Sequence, residues 1–472
     1  MAAVPLIERF QKNPRGKKGP DRILPPDYLR EKKRREAVRR LALEAAKMDD
    51  EFGRIFPNPE NSRRMEILNS GREIDRQTVG DAGVNAITRR TYEGTPPLTA
   101  YVKPQSGESG FRYDAASDSV IQIKRHWNKK THRLITTEQT YAKGGSGDPV
   151  EEQIVNAFRV RSQNFATLKQ NIADYYGLAP DEIELNGTEF TPRYGVDRGK
   201  TLIREYTASR LDRIFNLGVV PLTALRAENE VHTDPKTGEQ TTILENIELV
   251  SVQEAAPGKA LDAATYREIL AQGPKHPGAK SFMRIACLDY LMKSLDRHNE
   301  NILYDPATQQ FSAIDNGLSM GLSQKGVGNQ PGELDPLRSI PLSVVLKHAN
   351  WKLDPEAMAS LKQFHDKTLA YLQRREELLR NTQKRAGKPL SVELIGQEID
   401  EEIEREQGGQ EFKYLTKLFR MQYGHEKVAQ RECLEFIIRL RKLLQTGRPP
   451  DISEGWQGGE ILPVGVYWPD AA

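Results

Sequence analysis

Residues 285–320 read IACLDYLMKSLDRHNENILYDPATQQFSAIDNGLSM, and the reading of this stretch decides the fold. An apolar helical period runs to about Ser294, a polar loop DRHNEN follows, and ILYD, a turn at Pro306 and FSAIDNG make a short hairpin. Asp296 and Asn301 lie five residues apart on the loop, and Asp315 follows fourteen residues later at the end of the second strand. The hairpin therefore brings two carboxylates and one amide to one place. Phosphoryl transfer has a use for that set: one carboxylate to orient an attacking hydroxyl, and a carboxylate with an amide oxygen to hold Mg²⁺ against the phosphates of ATP. Asp296 as a helix-end cap and Asp315 in a tight turn with Asn316 and Gly317 would account for the same residues without chemistry.

Upstream stretches fall into place around this hairpin. KTLIREYTASRLDRIFNLGVVPLTAL at 200–225 is an amphipathic helix with Leu202, Tyr206, Leu211 and Ile214 or Phe215 on its apolar side, running into a strand. LTAYVKP at 98–104 is a strand in which Lys103 alternates with apolar neighbours. Before it, GDAGVNAITRR at 80–90 is a glycine-containing turn between strands, where the backbone of Gly83, Val84 and Asn85 can approach a phosphate. The stretch 224–261 is a hairpin around Asp234-Pro235 and Thr237-Gly238, whose second strand leads out to Pro257-Gly258.

The D-R-H-x-x-N loop at 296–301 followed by I-D-N-G at 314–317 resembles the catalytic and metal-binding loops of the phosphoinositide 3/4-kinase-like superfamily. The I-D-N-G-L form is most similar to type II phosphatidylinositol 4-kinases. The resemblance implies an α+β, bilobal, protein-kinase-like fold with an antiparallel-sheet N-lobe, a mainly helical C-lobe and helical extensions. It implies ATP and Mg²⁺ or Mn²⁺ as cofactors and a protein or phosphoinositide hydroxyl as acceptor. Residue by residue, Asn301 and Asp315 are the metal ligands, and Asp296 orients the acceptor hydroxyl. His298 is an auxiliary base, since an imidazole exchanges protons near neutral pH. Arg297 joins this catalytic set as the organiser of the loop. Lys103, followed by proline in YVKPQSGE, corresponds to the ATP-phosphate lysine, and Glu205 to the helix carboxylate that pairs with it. Ser251-Val252-Gln253-Glu254 is similar to the hinge, so Gln253 and Glu254 belong beside the nucleotide. The expected organisation is a basic arm and helix over 1–64, an N-lobe over 65–254 with an insertion at 110–195, a C-lobe over 255–446, and a tail over 447–472. A catalytically silent nucleotide-binding regulator and a nucleotidyl transferase that releases pyrophosphate are the alternatives on the same loops.

Composition excludes other classes. The 472 residues are 29% charged and 37% apolar, with a net charge of +3 too small to imply nucleic-acid binding. No apolar run reaches membrane-spanning length and the N-terminus lacks the apolar core of a signal peptide. Two cysteines, Cys287 and Cys433, without metal spacing, fit a reducing cytoplasm. Charge is segregated: REKKRREAVRR at 30–40 is basic and VELIGQEIDEEIERE at 392–406 acidic. The basic run sits on a helix opening at Asp27 with Leu29, Val38, Leu41, Leu43 and Ala46 as apolar positions. Its basic face is solvated, packs within the chain, or makes peripheral contact with an anionic membrane or acidic partner. From Met65 the pattern turns strand-like. The 110–195 segment shows alternating strands, SVIQIKRHW and HRLITTEQTYA, then a helical stretch stopped by Gly177 and Pro180, and carries no motif. In the C-lobe, helices are expected over 266–272 and 281–294, with further helical stretches from Asp354, over 391–406 and from Gln410.

Overall fold

The helix expected after Asp27 forms, and it belongs to the core instead of standing off it. Residues 26–79, 87–105, 108, 110–127, 134–142, 149–183, 189–190, 200–233, 240–294, 296–321, 339–348, 350–386 and 409–450 are described by a computed structural model of the chain. Helix α1 spans Pro26–Ile55 and buries Val38, Ala45, Met48 and Phe52, three to seven residues apart on one face, while Leu43 stays 57% exposed. Helix α2, Pro59–Ser70, corrects the strand-like reading of Met65 onward. The Asn58 side chain accepts from the Asn61 N–H at 3.1 Å and Pro59 takes the first helical position, a start signal that carries the helix through to Gly71.

Strands β1 (Glu73–Val79), β2 (Ile87–Tyr92) and β3 (Leu98–Pro104) open the first sheet. A second sheet is built from β4 (Gly110–Asp114), β5 (Ser119–Trp127), β6 (Leu134–Ala142) and the short β7 (Glu189–Phe190), in the order β6-β5-β4-β7. Between β6 and β7 lie α3 (Pro149–Gln163) and α4 (Phe165–Tyr176), two helices where one continuous stretch was expected; Gly177 ends α4 in the left-handed conformation at φ 65°. Helix α5 (Thr201–Ile214) leads to β8 (Thr223–Thr233) and β9 (Gln240–Glu254), which complete the first sheet in the antiparallel order β1-β2-β3-β9-β8. Residues 234–239, where the hairpin turn was expected, lie outside the described residues.

Strand alternation divides this sheet's two faces. Ala100, Val102, Ala224, Val250 and Val252 pack with Met65 and Leu68 of α2. Leu225, Ile247 and Leu249, on the opposite face, join the main core with α1 and α5. Lys103 pairs with Ser251 in register and so shares the α5 face.

After Glu254 come β10 (Lys259–Ala260), α6 (Ala263–Gln272), α7 (Ala279–Met292), β11 (Ile302–Asp305), β12 (Gln310–Ala313), α8 (Ile340–Lys347), α9 (Pro355–Ala386), α10 (Gln410–Tyr423) and α11 (Glu426–Thr446). Helix α6 starts earlier than expected because Asp262 caps it, accepting from the Thr265 N–H at 2.7 Å. Helix α7 ends at Met292 with Lys293 left-handed at φ 51°. The short helix α8 went unrecognised, although Ser339 caps it at 3.2 Å from the Leu342 N–H and Pro341 sits in its first turn. The acidic run 392–406 and the glycine-rich stretch 322–338 lie outside the described residues. Strands β10, β11 and β12 form a small antiparallel sheet against the helices. The fold is α+β: an antiparallel-sheet lobe with α5, a helical lobe centred on α7, and a connector at the end of β9.

The segment from β4 to α4 builds a sheet-and-helix unit of its own and docks on the helical lobe. Phe158 and Val155 of α3 pack with Val120 of its own sheet, while Leu168, Ile172 and Tyr176 of α4 pack with Val428 of α11 in the helical lobe. Cys287 and Cys433 are both buried as free thiols. Among the described residues no helix is long and apolar enough to cross a membrane.

Candidate active site

Lys103 sits between two carboxylates. Its Nζ lies 2.6 Å from Glu205 Oε1 and 3.3 Å from Asp315 Oδ1. The side chains of Lys103 and Glu205 are 11% and 2% exposed, whereas that of Asp315 is 40% exposed. Burial works against the Lys103 charge, but the facing Asp315 and Glu205 outweigh it and hold the ammonium above its usual range. The Lys103 charge holds the Asp315 carboxyl below the usual carboxylate range. Burial pushes Glu205 the other way, up to about 7, in spite of Lys103. One ammonium cannot neutralise two carboxylates fully, so the better solvated Asp315 keeps its charge more readily and the enclosed Glu205 takes up a proton more readily than an ordinary carboxyl does. Glu205 Oε2 is buried without a hydrogen bond among the described residues.

The DRHNEN loop and the strand end carrying Asp315 are held together by Arg297, whose side chain is 1% exposed. Its guanidinium reaches Asp289 on α7 at 3.2 Å, the Asn301 carbonyl at 3.2 Å, the Ile314 carbonyl and the Asn316 side-chain oxygen. Its own carbonyl accepts from the Ile340 N–H at 3.0 Å, and Ser339 Oγ donates to Asp289 at 2.8 Å, which ties α8 into the same cluster. Arg297 therefore ties the loop, the strand end, α7 and α8 together from a buried position. The Ile314 N–H donates to the Asn301 carbonyl at 3.1 Å, so the loop and the strand end run side by side. Asn301 Nδ2 donates to the Asp296 carbonyl at 2.9 Å, which turns the amide oxygen to the other side. His298 Nδ1 accepts from the Glu300 N–H at 3.3 Å, capping the single turn Asn299–Asn301. After Lys103 and burial, the His298 ring also contributes to the low Asp315 value, which puts it within electrostatic reach of that carboxylate. Asp296 and His298 are half-buried, and Asn301 is buried.

Asp315 adopts φ 54°, in the left-handed region that Asp tolerates better than most side chains. Two residues on, a Cβ on Gly317 would fall 2.9 Å from Thr201 Cβ, so the first turn of α5 rests directly on this strand end. The buried Glu108 accepts from Thr201 Oγ1 at the same junction.

The expected hinge residues are engaged within the protein. Gln253 Nε2 donates to Thr223 Oγ1 at 3.1 Å, Glu254 forms an ion pair with Arg64 of α2, and the Glu254 N–H donates to the Leu222 carbonyl at 2.8 Å. Their side chains are thus taken, and both residues pair in register with β3, Gln253 with β8 as well. Gly83, Val84 and Asn85 lie outside the described residues.

Sequence reasoning missed Asp289, Asn316, Ser339, Arg204 and Glu108. Asp289 had a readable signal: a lone carboxylate within the apolar run IACLDYLM is either unfavourable or paired. Arg204 Nε donates to the Ser319 carbonyl at 2.8 Å and so steadies the backbone after Asp315.

Among the described residues no three His, Cys, Asp or Glu side chains gather into a metal cage. A charged, half-exposed carboxylate and an amide oxygen suit a hard cation that keeps waters and takes its remaining oxygens from phosphates, as Mg²⁺ does. The donor set fits that ion.

Residues 262–386, from the start of α6 to the end of α9, match the family described as Phosphatidylinositol 3- and 4-kinase. A search of curated proteins found no match. Among solved structures, hydra Fam20 with sugar is similar at 12% identity, with 80% of this chain and 89% of that chain covered and a TM-score of 0.33. Over its helical lobe, the chain resembles the catalytic region of the phosphatidylinositol 3- and 4-kinases.

Proposed function

We propose that the protein is an ATP-dependent kinase that transfers the γ-phosphoryl group to a hydroxyl of a protein or an inositol lipid. One observation carries the reading: Lys103 bonded to both Glu205 and Asp315, with Asp315 on a strand end locked through Arg297 to the loop of Asp296, His298 and Asn301. Lys103 holds donor phosphates, and Glu205 keeps its rotamer aimed at them. Asp315 and the Asn301 amide oxygen are the ligands for Mg²⁺, which when bound neutralises charge on the phosphate oxygens. Asp296 orients the acceptor hydroxyl and takes its proton as the oxygen attacks, with His298 beside it as an auxiliary base. The main chain at 253–254 flanks the adenine. The family match over 262–386 supports kinase-type phosphotransfer in general.

The test is label transfer from γ-labelled ATP with Mg²⁺ to the protein itself, to a mixture of proteins and to phosphoinositide vesicles, comparing wild type with Asp315→Asn. Transfer by the wild type and a drop of at least about 10³-fold in the variant are expected. A fully active Asp315→Asn protein would falsify the metal assignment, and pyrophosphate release in place of ADP would replace the reading with nucleotidyl transfer.

A further inference from the structure

Three consecutive residues of α5 are tied to three different parts of the molecule. Arg204 bonds the Ser319 carbonyl beyond Asp315 at 2.8 Å, Glu205 bonds Lys103 of β3 at 2.6 Å, and the Tyr206 hydroxyl donates to Asp49 of α1 at 2.6 Å. Successive helical residues point about 100° apart, so these three contacts together fix both the rotation and the axial position of α5. The third is the most elaborate. Asp49 also accepts from Arg210 Nε at 3.0 Å and from Asn69 of α2 at 2.8 Å. The Arg210 guanidinium lies 4.5 Å from the Tyr206 ring centre and 5.5 Å from that of Phe52. The Arg210 and Asp49 side chains are 1% and 8% exposed, a degree of burial at which an ion pair often adds less stability than an apolar pair would. A pair kept in such a place is better explained by the arrangement it specifies. The same N-terminal hairpin holds the connector, through Arg64 of α2 and Glu254. Its α1 also spans to the helical lobe, where Lys417 of α10 bonds Glu51 at 2.8 Å.

We propose that the α1–α2 hairpin is a positioning element of the cleft, with Asp49 setting α5 in the register at which Glu205 meets Lys103. The proposal rests on the kinase reading for its consequence in turnover, but not for the geometry it assigns. Asp49, Tyr206 and Arg210 act through Glu205 and touch no reacting atom.

The test uses the full chain with two variants that leave no charge stranded: Tyr206→Phe, and Asp49→Asn combined with Arg210→Met. Cooperative unfolding by circular dichroism establishes that each is folded. Two readouts follow. One is kcat and KM for ATP, where a displaced Glu205 lowers kcat by about ten- to hundred-fold in the double variant and less in Tyr206→Phe. The other is the rate at which an amine-acylating reagent modifies Lys103, followed by peptide mass spectrometry at fixed pH without nucleotide. A lysine no longer held against Glu205 leaves its enclosed position, where its side chain is 11% exposed, and meets the reagent more often, so it is acylated faster. Faster Lys103 acylation in both folded variants is the expected result. Wild-type acylation rates in both would overturn the proposal and leave α1 a packing element. A wild-type protein with no phosphotransfer would sink the kinase reading, while the acylation comparison would still decide the placement of α5.

Discussion

Helix α5 carries two buried ion pairs on different faces, and they are built to different standards. In the pair toward α1, both Asp49 oxygens are occupied, by Tyr206 and Arg210 on one side and by Asn69 on the other. In the pair toward the cleft, Glu205 has one oxygen on Lys103 and the other without a hydrogen bond among the described residues, and its carboxyl is pushed up to about 7. A satisfied buried pair specifies an arrangement, whereas an incompletely satisfied one retains capacity for a further charged group. The difference marks which side of α5 faces chemistry and which faces scaffold.

Lys103→Met is the sharpest way to break that contrast. It removes the cation two carboxylates share, and phosphotransfer should fall by at least about 10³-fold while thermal unfolding stays cooperative, a combination that activity and melting curves reveal together. Asp289→Ala addresses the scaffold beneath the cleft. It leaves Arg297 as a buried charge without its carboxylate, and urea unfolding should register a loss of about 3–5 kcal/mol. The next effect is one of sign. Because Glu205 holds a proton in the fold up to about 7, against 4.5 unfolded, its contribution to stability is full below the unfolded value and is lost as pH rises through about 7. Asp315, depressed by Lys103, contributes stability above the ordinary carboxylate range and loses it as pH falls. The stability difference between wild type and Glu205→Gln should therefore change between pH 4.5 and about 7, and a flat difference over that range would count against the raised Glu205 carboxyl. The smallest effect belongs to α4. Tyr176 of α4 donates to Glu432 of α11, which Lys293 also reaches at 2.9 Å. Tyr176→Phe removes one hydrogen bond to a buried carboxylate that keeps another, for about 1–2 kcal/mol in chemical denaturation.

The parts of this molecule legible in advance were those whose signals are local. The DRHNEN loop, the ILYD–FSA hairpin and the apolar side of α5 follow from spacing within a few residues, and β11, β12 and α5 form where spacing put them. The core role of α1 was obscured because its basic run dominates the composition, while the four residues that bury it are spread over fifteen positions. Asn58-Pro59 was a readable helix start, passed over because the isoleucine and leucine that follow also suit a strand. Asp289 and Ser339 acquire meaning only from Arg297, which lies 8 and 42 residues from them in sequence. The docking of α4 on α11 joins segments more than two hundred residues apart, a pairing no local pattern encodes. Gln253 and Glu254 illustrate another limit, since their partners Thr223 and Arg64 lie 30 and 190 residues away in sequence.

The near-contact of residue 317 with Thr201 makes a single hydrogen atom a mechanical spacer. Replacing it by a methyl group wedges the amino-terminal end of a helix away from the strand end beside it, with no charge altered and no hydrogen-bonding group removed. Gly317→Ala thus moves a lever without touching the parts it works on.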